Sequence, residues 1–226
     1  MSRIALIHAL EESVIPIRTA FAQHWPKAMC MDLLDSSLSA DLADKGQLDD
    51  LIIQRFRDLG DYAANASGQG GQTQAILFTC SAFGPAIDAV KADHQIPVLR
   101  PNEAAFAEAL HIGSRLALVV TFPPSLSALS AELEQMALQQ GQKIEITPVL
   151  AEGALAALQR GDGEAHDQAV LQACAKLGDH DAVILGQFSL ARSAEPLSRI
   201  ISCPIITTPD SAVHALRSLL TSAGME

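Results

Sequence analysis

Ala75-Ile-Leu-Phe-Thr-Cys80-Ser81-Ala-Phe-Gly-Pro85 is the stretch on which the reading of this chain turns. Its apolar start reads as a buried strand that delivers a lone thiol, flanked by two hydroxyls, to the start of a helix. A second stretch, Asp181-Ala-Val-Ile-Leu-Gly-Gln187-Phe-Ser189, has the same build but carries glutamine where the first has cysteine. If the two sites face each other, the chain is a thiol enzyme with one cysteine acid/base instead of two.

Outward from these two stretches, apolar strand-like runs alternate with helical patterns. Strands are predicted at Ile4–Ile7, Met29–Leu34, Ala75–Phe78 and Ile96–Leu99, then at Leu116–Val120, Lys143–Thr147, Ala182–Leu185 and Pro204–Ile206. Between them, Leu51-Ile52-Arg55-Phe56-Leu59 and Leu126-Leu129-Leu133-Met136 repeat at three and four, the helical period. This alternation predicts mostly parallel sheets covered by helices on both faces.

The halves also resemble one another. Arg3-Ile-Ala-Leu-Ile7 matches Arg115-Leu-Ala-Leu-Val119, Ala75-Ile-Leu-Phe-Thr-Cys80 matches Ala182-Val-Ile-Leu-Gly-Gln187, and Ile96-Pro-Val-Leu99 matches Cys203-Pro-Ile-Ile206. Three matches in one order predict a duplicated α/β lobe: residues 1–101 plus 207–226 as the first, 102–206 as the second. Pro101-Asn102 and Thr207-Thr-Pro209 are the crossover points. The helix over Ser211–Thr221 packs on the first lobe or, nearly as readily, on the second.

With 226 residues, 49% apolar and 18% charged, the chain has enough material for a large α/β domain or two lobes and is not disordered. A formal charge of −11 argues against nucleic acid and anionic membrane as partners, but a local nest of N–H groups still accommodates an anionic substrate. The amino terminus has too short an apolar run for a signal peptide, and no stretch reaches the roughly 18 apolar residues of a membrane span. The expected address is cytoplasmic. Cysteines 30, 80, 174 and 203 show no paired spacing and are expected to be reduced. Seven scattered histidines, with no H-E-x-x-H, give no metal site. Gly68-Gln-Gly-Gly71 follows a helical stretch and reads as a flexible connection.

In open parallel sheets ligands bind outside the carboxyl ends of the strands. Those ends are His8-Ala9 and Thr79-Cys80-Ser81 in the first lobe, and Val120-Thr121-Phe122 and Gly186-Gln187-Phe188-Ser189 in the second. Cys80 is the candidate catalytic residue, with helix-terminal N–H groups expected to favour its thiolate. Thr79, Ser81, Thr121 and Ser189 are candidates for holding a carboxylate, although each alone reads equally as a helix cap. Gln187 can hydrogen-bond a substrate but cannot shuttle a proton near neutral pH. His8 titrates usefully there, unless it is hydrogen-bonded in place. Phe83, Phe122 and Phe188 read equally as an apolar wall or as core. Asn102 and Glu103 read as helix caps. The other three cysteines read as core, Cys30 and Cys203 on strands and Cys174 on a helix. The Leu126–Met136 stripe fits core or a dimer seam, so a homo-oligomer is compatible with the sequence.

Thr79-Cys80-Ser81 after an apolar strand, the Leu185-Gly186-x-x-Ser189 strand end and the duplicated lobes together resemble the aspartate/glutamate/hydantoin racemase superfamily, which includes arylmalonate decarboxylase and maleate isomerase. The resemblance covers essentially the whole chain. It implies two pseudo-symmetric α/β lobes, each with a mostly parallel four-stranded sheet, an active site in the cleft between them and no cofactor. In the family's racemases two cysteines sit on opposite faces of the substrate α-carbon. Cys80 matches the first position and Gln187 occupies the second, while the decarboxylase branch keeps a single cysteine that looks like the other one. The chain departs from both patterns. The expected function is cofactor-independent, cysteine-based proton transfer at the carbon next to the carboxylate of a small acid or amino-acid-like substrate. A decarboxylase or lyase using Cys80 is the alternative within enzymes, and a non-catalytic carboxylate-binding protein is the alternative outside them.

Overall fold

Arg3–His8 (β1) places Ile4, Ala5, Leu6 and Ile7 at 5% exposure or less, so both faces of the strand are covered. That burial is what a parallel sheet between two helical layers requires of its central strands. The computed structural model describes residues 2–224, which cluster into two units, one running to Pro101 and resuming at Ala212, the other spanning Asn102–Ser211.

In the first unit β1 leads through α1 (Val14–His24) to β2 (Met29–Leu34), then α2 (Ser37–Lys45) and α3 (Asp50–Asn65). A two-residue strand, β3 (Ser67–Gly68), precedes β4 (Gly71–Phe78), α4 (Gly84–Asp93) and β5 (Val98–Leu99). The parallel strands run β2-β1-β4-β5, with Ile4 beside Ala75 and Ile7 beside Phe78. The sheet has five strands instead of the expected four, because Ser67–Gly68 folds back antiparallel on Gly71-Gln72. The glycine-rich stretch is therefore a hairpin turn, with Gly70 and Gly71 at positive φ (85° and 87°) where other residues are strained.

Asp49 starts α3 by accepting the Ile52 N–H at 2.9 Å. The helix buries Ile52, Phe56, Gly60 and Ala63 along one stripe. Gly60 allows α4 to approach closely, since a Cβ there would collide with the Val90 side chain.

The second unit begins with α5 (Glu103–Ile112), followed by β6 (Arg115–Val120), α6 (Pro123–Gln139), β7 (Glu145–Leu150), α7 (Ala154–Gln159) and α8 (Gly163–Cys174). It is completed by β8 (Ala182–Leu185), α9 (Ala194–Ser198), β9 (Ile205–Thr207) and the start of α10 (Thr208–Ser222). Strand order is β7-β6-β8-β9, all parallel, the same connectivity as β2-β1-β4-β5. The stripe on α6 is core: Leu129, Leu133 and Ala137 are buried, and Leu126 and Met136 pack beside them. Cys203 lies in a bend before β9, not on the strand.

Residues 207–211, assigned to the first lobe from sequence, sit with the second. Thr207 pairs with Leu185, the Thr208 hydroxyl donates to the Leu185 carbonyl at 3.2 Å, and the Ser211 hydroxyl donates to Glu108 at 2.6 Å. From Ala212 onward α10 belongs to the first unit, where Arg217 donates to the His24 carbonyl at 3.1 Å and the His24 and His214 rings meet edge to face.

Asp181 fastens the start of β6. Its carboxylate accepts the N–H groups of Arg115 and Ser114 and pairs with the Arg115 guanidinium, which together hold its pKa down at about 2. A carboxyl whose folded pKa lies below its unfolded value of about 3.9 stabilises the fold above that value and loses its effect as pH falls through the folded pKa. Asp181→Asn should therefore lower the melting temperature at pH 7, and the gap to the wild type should close between about pH 4 and pH 2. Gly60→Ala should cost about 1–3 kcal/mol in urea unfolding through overpacking against Val90.

Candidate functional site

Strand β4 ends where its ladder with β1 ends. The Thr79 N–H donates to the Ile7 carbonyl at 3.0 Å, and Cys80 follows in extended conformation as the cap of a single 3₁₀ turn, Ser81–Phe83. Beneath it lies a buried polar network. His8, fully buried, has Nε2 at 3.2 Å from Asp32 Oδ1 and Nδ1 at 2.8 Å from Thr79 Oγ1 and 3.1 Å from Ser13 Oγ. Asp32 is in turn paired with Arg18.

The donors in this network follow from what each group can do. An ionised Asp32 only accepts, so His8 Nε2 carries the proton. The Ser13 hydroxyl donates to the Leu10 carbonyl at 2.7 Å. The Thr79 hydroxyl is then the donor to Nδ1 of a neutral ring. Burial lowers the His8 pKa, against the pull of Asp32, and keeps the ring in that state.

His8 and Thr79 are thus bonded to each other and buried, at 0% and 4% exposure. They brace the strand end that bears Cys80. Ser13, Asp32 and Arg18 complete the brace and were missed from sequence. A charged Asp32 inside Met29-Cys-Met-Asp-Leu-Leu34 was the available signal.

Cys80 is half-buried and borders a tight apolar crevice, with no room for a water molecule, beside Ile7, His8, Ala9, Leu38, Phe56 and Phe78. The expected lowering of its pKa is overturned. Burial pushes the thiol up, against smaller opposing effects of the Ala82 N–H and the Ser39 hydroxyl. The reason is local: α4 starts four residues on, at Gly84, and the field of a helix terminus fades within its first turn. Ser81, half-buried, begins the 3₁₀ turn, and Phe83 is core against Phe56. Burial raises the other thiols as well, Cys30 to about 12 and Cys174 to about 11.

The second unit repeats the geometry with other chemistry. Gln187 follows β8 in extended conformation and caps a 3₁₀ turn, Phe188–Ser193, before α9. Its Oε1 accepts the Thr121 N–H at 2.6 Å and the Thr121 hydroxyl at 2.8 Å. A backbone N–H can only donate, so the amide orientation is settled and its NH₂ group faces away from Thr121. Thr121 is 5% exposed, and both its donors are occupied by Gln187.

Asn102 is not a side-chain cap. Its Nδ2 donates to the Gly186 carbonyl at 2.7 Å, while its buried Oδ1 has no protein partner. Asp167 anchors the turn after Gln187 by accepting from Arg192 Nε at 3.0 Å and Ser193 Oγ at 2.7 Å, with His166 Nδ1 also at 3.0 Å. Burial raises the Asp167 carboxyl, but these partners outweigh it and hold the pKa below the ordinary value. Ser189 remains half-buried, Phe188 is core at 3% exposure, and Phe122 stands 41% exposed.

Among the described residues no group of His, Cys, Asp and Glu is arranged to hold a metal ion, and no helix is long and apolar enough to cross a membrane.

Comparison with the curated proteins gives no sequence match. Among solved structures the chain is similar to allantoin racemase from Pseudomonas fluorescens (TM-score 0.72, 16% identity, 99% of this chain and 92% of that one). It is also similar to glutamate racemase from Campylobacter jejuni (0.69, 16%, 96% and 85%). A mutant of arylmalonate decarboxylase in a sulfate-associated form matches at 0.66 and 16%, over 96% and 92%. At these identities the likeness is one of fold. The family model for Asp/Glu/hydantoin racemase matches residues 16–216, nearly the whole length, and the chain belongs to that family.

Proposed function

We propose that this protein catalyses cofactor-independent proton transfer at the carbon next to a carboxylate, with the Cys80 thiol as its acid/base. The observation that carries the reading is the placement of Cys80 in a member of the racemase family. It is a half-buried thiol on an extended strand end, braced from below by the Thr79–His8–Asp32 network. Removal of the substrate's α-proton leaves an enediolate that preorganised donors stabilise. The Cys80 thiolate takes that proton, the thiol so formed exchanges it with water, and return of a proton from sulfur to carbon regenerates the thiolate. Gln187 cannot shuttle a proton, so delivery is to one face.

The raised Cys80 pKa favours a second reading within the same chemistry. A thiol that is protonated at rest is a ready donor and a poor base. In a decarboxylase the bond from carbon to the leaving carboxylate breaks, CO₂ departs, and the electron pair stays on the enediolate. The Cys80 thiol then protonates that carbon.

Exchange of α-protons with D₂O, followed by proton NMR over a panel of small carboxylates, tests the function. Exchange should occur, and deuterium should enter one configuration only. Efficient racemisation of a simple amino acid by the wild type would overturn the one-thiol reading. Cys80→Ser should lower the rate by about 10²–10⁴-fold while the melting temperature stays close to that of the wild type. A variant that retains most of its activity would make Cys80 structural.

The pH profile separates the two directions. If Cys80 donates, the rate is level near neutrality and falls as pH rises through the thiol pKa, above its ordinary value of about 8.5. If it abstracts, the rate rises over the same range.

A further inference from the structure

Ser39 is the third residue of α2 and follows Leu38, which is fully buried in the crevice that Cys80 borders. Its hydroxyl donates to the Ala9 carbonyl at 2.9 Å. Ala9 lines the same crevice, and the Cys80 sulfur meets the same hydroxyl. A serine hydroxyl has one proton and two lone pairs. With the proton committed to Ala9, the oxygen offers the sulfur a lone pair, which suits an S–H group and repels a thiolate. The hydroxyl can serve a thiolate only by turning from Ala9 to the sulfur.

The residues lining the crevice cannot follow the charge on sulfur in this way. Ile7, Leu38, Phe56 and Phe78 are apolar. His8 has both ring nitrogens engaged, with Asp32 on one side and Thr79 and Ser13 on the other. The Ala82 N–H belongs to the backbone and keeps its direction. Charged side chains on the elements packed around the crevice are engaged with one another: Arg55 of α3 with Asp35 and Asp41, Lys45 of α2 with Asp49, and Arg100 with Asp88 of α4. A hydrogen bond to a charged partner is about twice as strong as one between neutral groups, so a turned hydroxyl favours the thiolate.

We infer that Ser39 is a positioning residue for Cys80: its hydroxyl turns from the Ala9 carbonyl to the sulfur when the thiol gives up its proton, and back when the proton returns. The inference rests on the proposed acid/base role of Cys80 and adds the group that steadies its charge. No bond to Ser39 forms or breaks. The S–H electron pair stays on sulfur, the proton goes to the substrate carbon or to water, and the hydroxyl keeps its own proton throughout.

Alkylation of the full chain by iodoacetamide over a range of pH, followed by mass spectrometry of the peptide that carries Cys80, tests this, because the thiolate is the form that reacts. In Ser39→Ala, alkylation near neutral pH should be about tenfold slower than in the wild type, and the pH profile should move up by about one unit. Removing the hydroxyl opens space beside the sulfur, which alone would speed the reaction, so a slower rate reports charge and not access. Ser39→Thr keeps the hydroxyl and should restore the wild-type profile. Circular dichroism and melting curves should show both variants folded at the assay temperature. An unchanged or faster rate in Ser39→Ala, an unmoved profile, or a Ser39→Thr profile that matches Ser39→Ala would each overturn the inference. The assay needs no substrate and so stands apart from the proposed reaction. If the profile moves while no carboxylate exchanges its α-proton, the reaction fails and the link between Ser39 and Cys80 stands. If exchange occurs and the profile is unmoved, the link fails and the reaction stands.

Discussion

A parallel sheet covered on both faces admits few polar side chains along its centre, and this constraint determines where chemistry can occur in the molecule. Leu116 to Val120 are all fully buried, as are Ala182 to Leu185 and Ala75 to Leu77. Apart from Asp32 on the outer strand β2 and Thr73 near the start of β4, the polar groups of the site enter where the backbone ladder makes its last bonds. These are Thr79 N–H to Ile7, Asp35 N–H to His8, Gly186 N–H to Val119 and Ala151 N–H to Val120. At each of these points the apolar run breaks off and a hydroxyl, thiol, amide or carboxylate follows within a residue or two. Burial of such a group is tolerated only when its hydrogen bonds are met, which is why the strand ends carry networks instead of isolated side chains.

The two units satisfy that requirement differently. In the first, the demand is met below the thiol: Thr79, His8, Ser13 and Asp32 bond to one another, and Cys80 is left at the rim of an apolar crevice. In the second, the residue at the equivalent position takes part itself, with Gln187 accepting both donors of Thr121. Ala9, the counterpart of Thr121 in the repeat, offers no hydroxyl, and the thiol at position 80 meets the Ala82 N–H and the Ser39 hydroxyl instead. The repeat in backbone geometry therefore supports two unlike sites. One is apolar and raises the pKa of a thiol, and the other is polar and fixes an amide.

Much of the fold was legible because long buried strands leave an unambiguous apolar signature. Met29–Leu34 and Ala182–Leu185 coincide with the strands read from sequence, and the duplicated order of β1, β4 and β5 with β6, β8 and β9 follows from the matching runs. Less legible were elements set by backbone conformation and distant partners. Gly68–Gly71 looked like slack chain, but positive φ at its glycines closes a hairpin. At the site, Cys80 and Gln187 could be singled out from their neighbours in sequence, whereas the roles of Thr79, His8 and Thr121 could not. Each hydroxyl or imidazole finds its partner 66 to 71 residues away, on a different strand or turn. The thiol's raised pKa had the same origin, since the apolar crevice is built by Leu38 and Phe56 from separate helices.

Glutamine at position 187 has a structural role of its own. Its amide oxygen lies two bonds further from the backbone than a cysteine sulfur would, and that reach brings it to the Thr121 N–H and hydroxyl at once. Thr121 is 5% exposed, so its N–H would otherwise be a buried donor without a partner, a defect that costs roughly 1–3 kcal/mol. The same bonds hold Oε1 toward Thr121 and leave the NH₂ end as the amide's only free polar edge. Pro123 and Pro124 carry no N–H at the start of α6, and the Phe122 ring beside them is exposed. Thr121, Phe122, the two prolines and Gln187 thus form one local unit that sets a fixed neutral amide beside an exposed apolar ring.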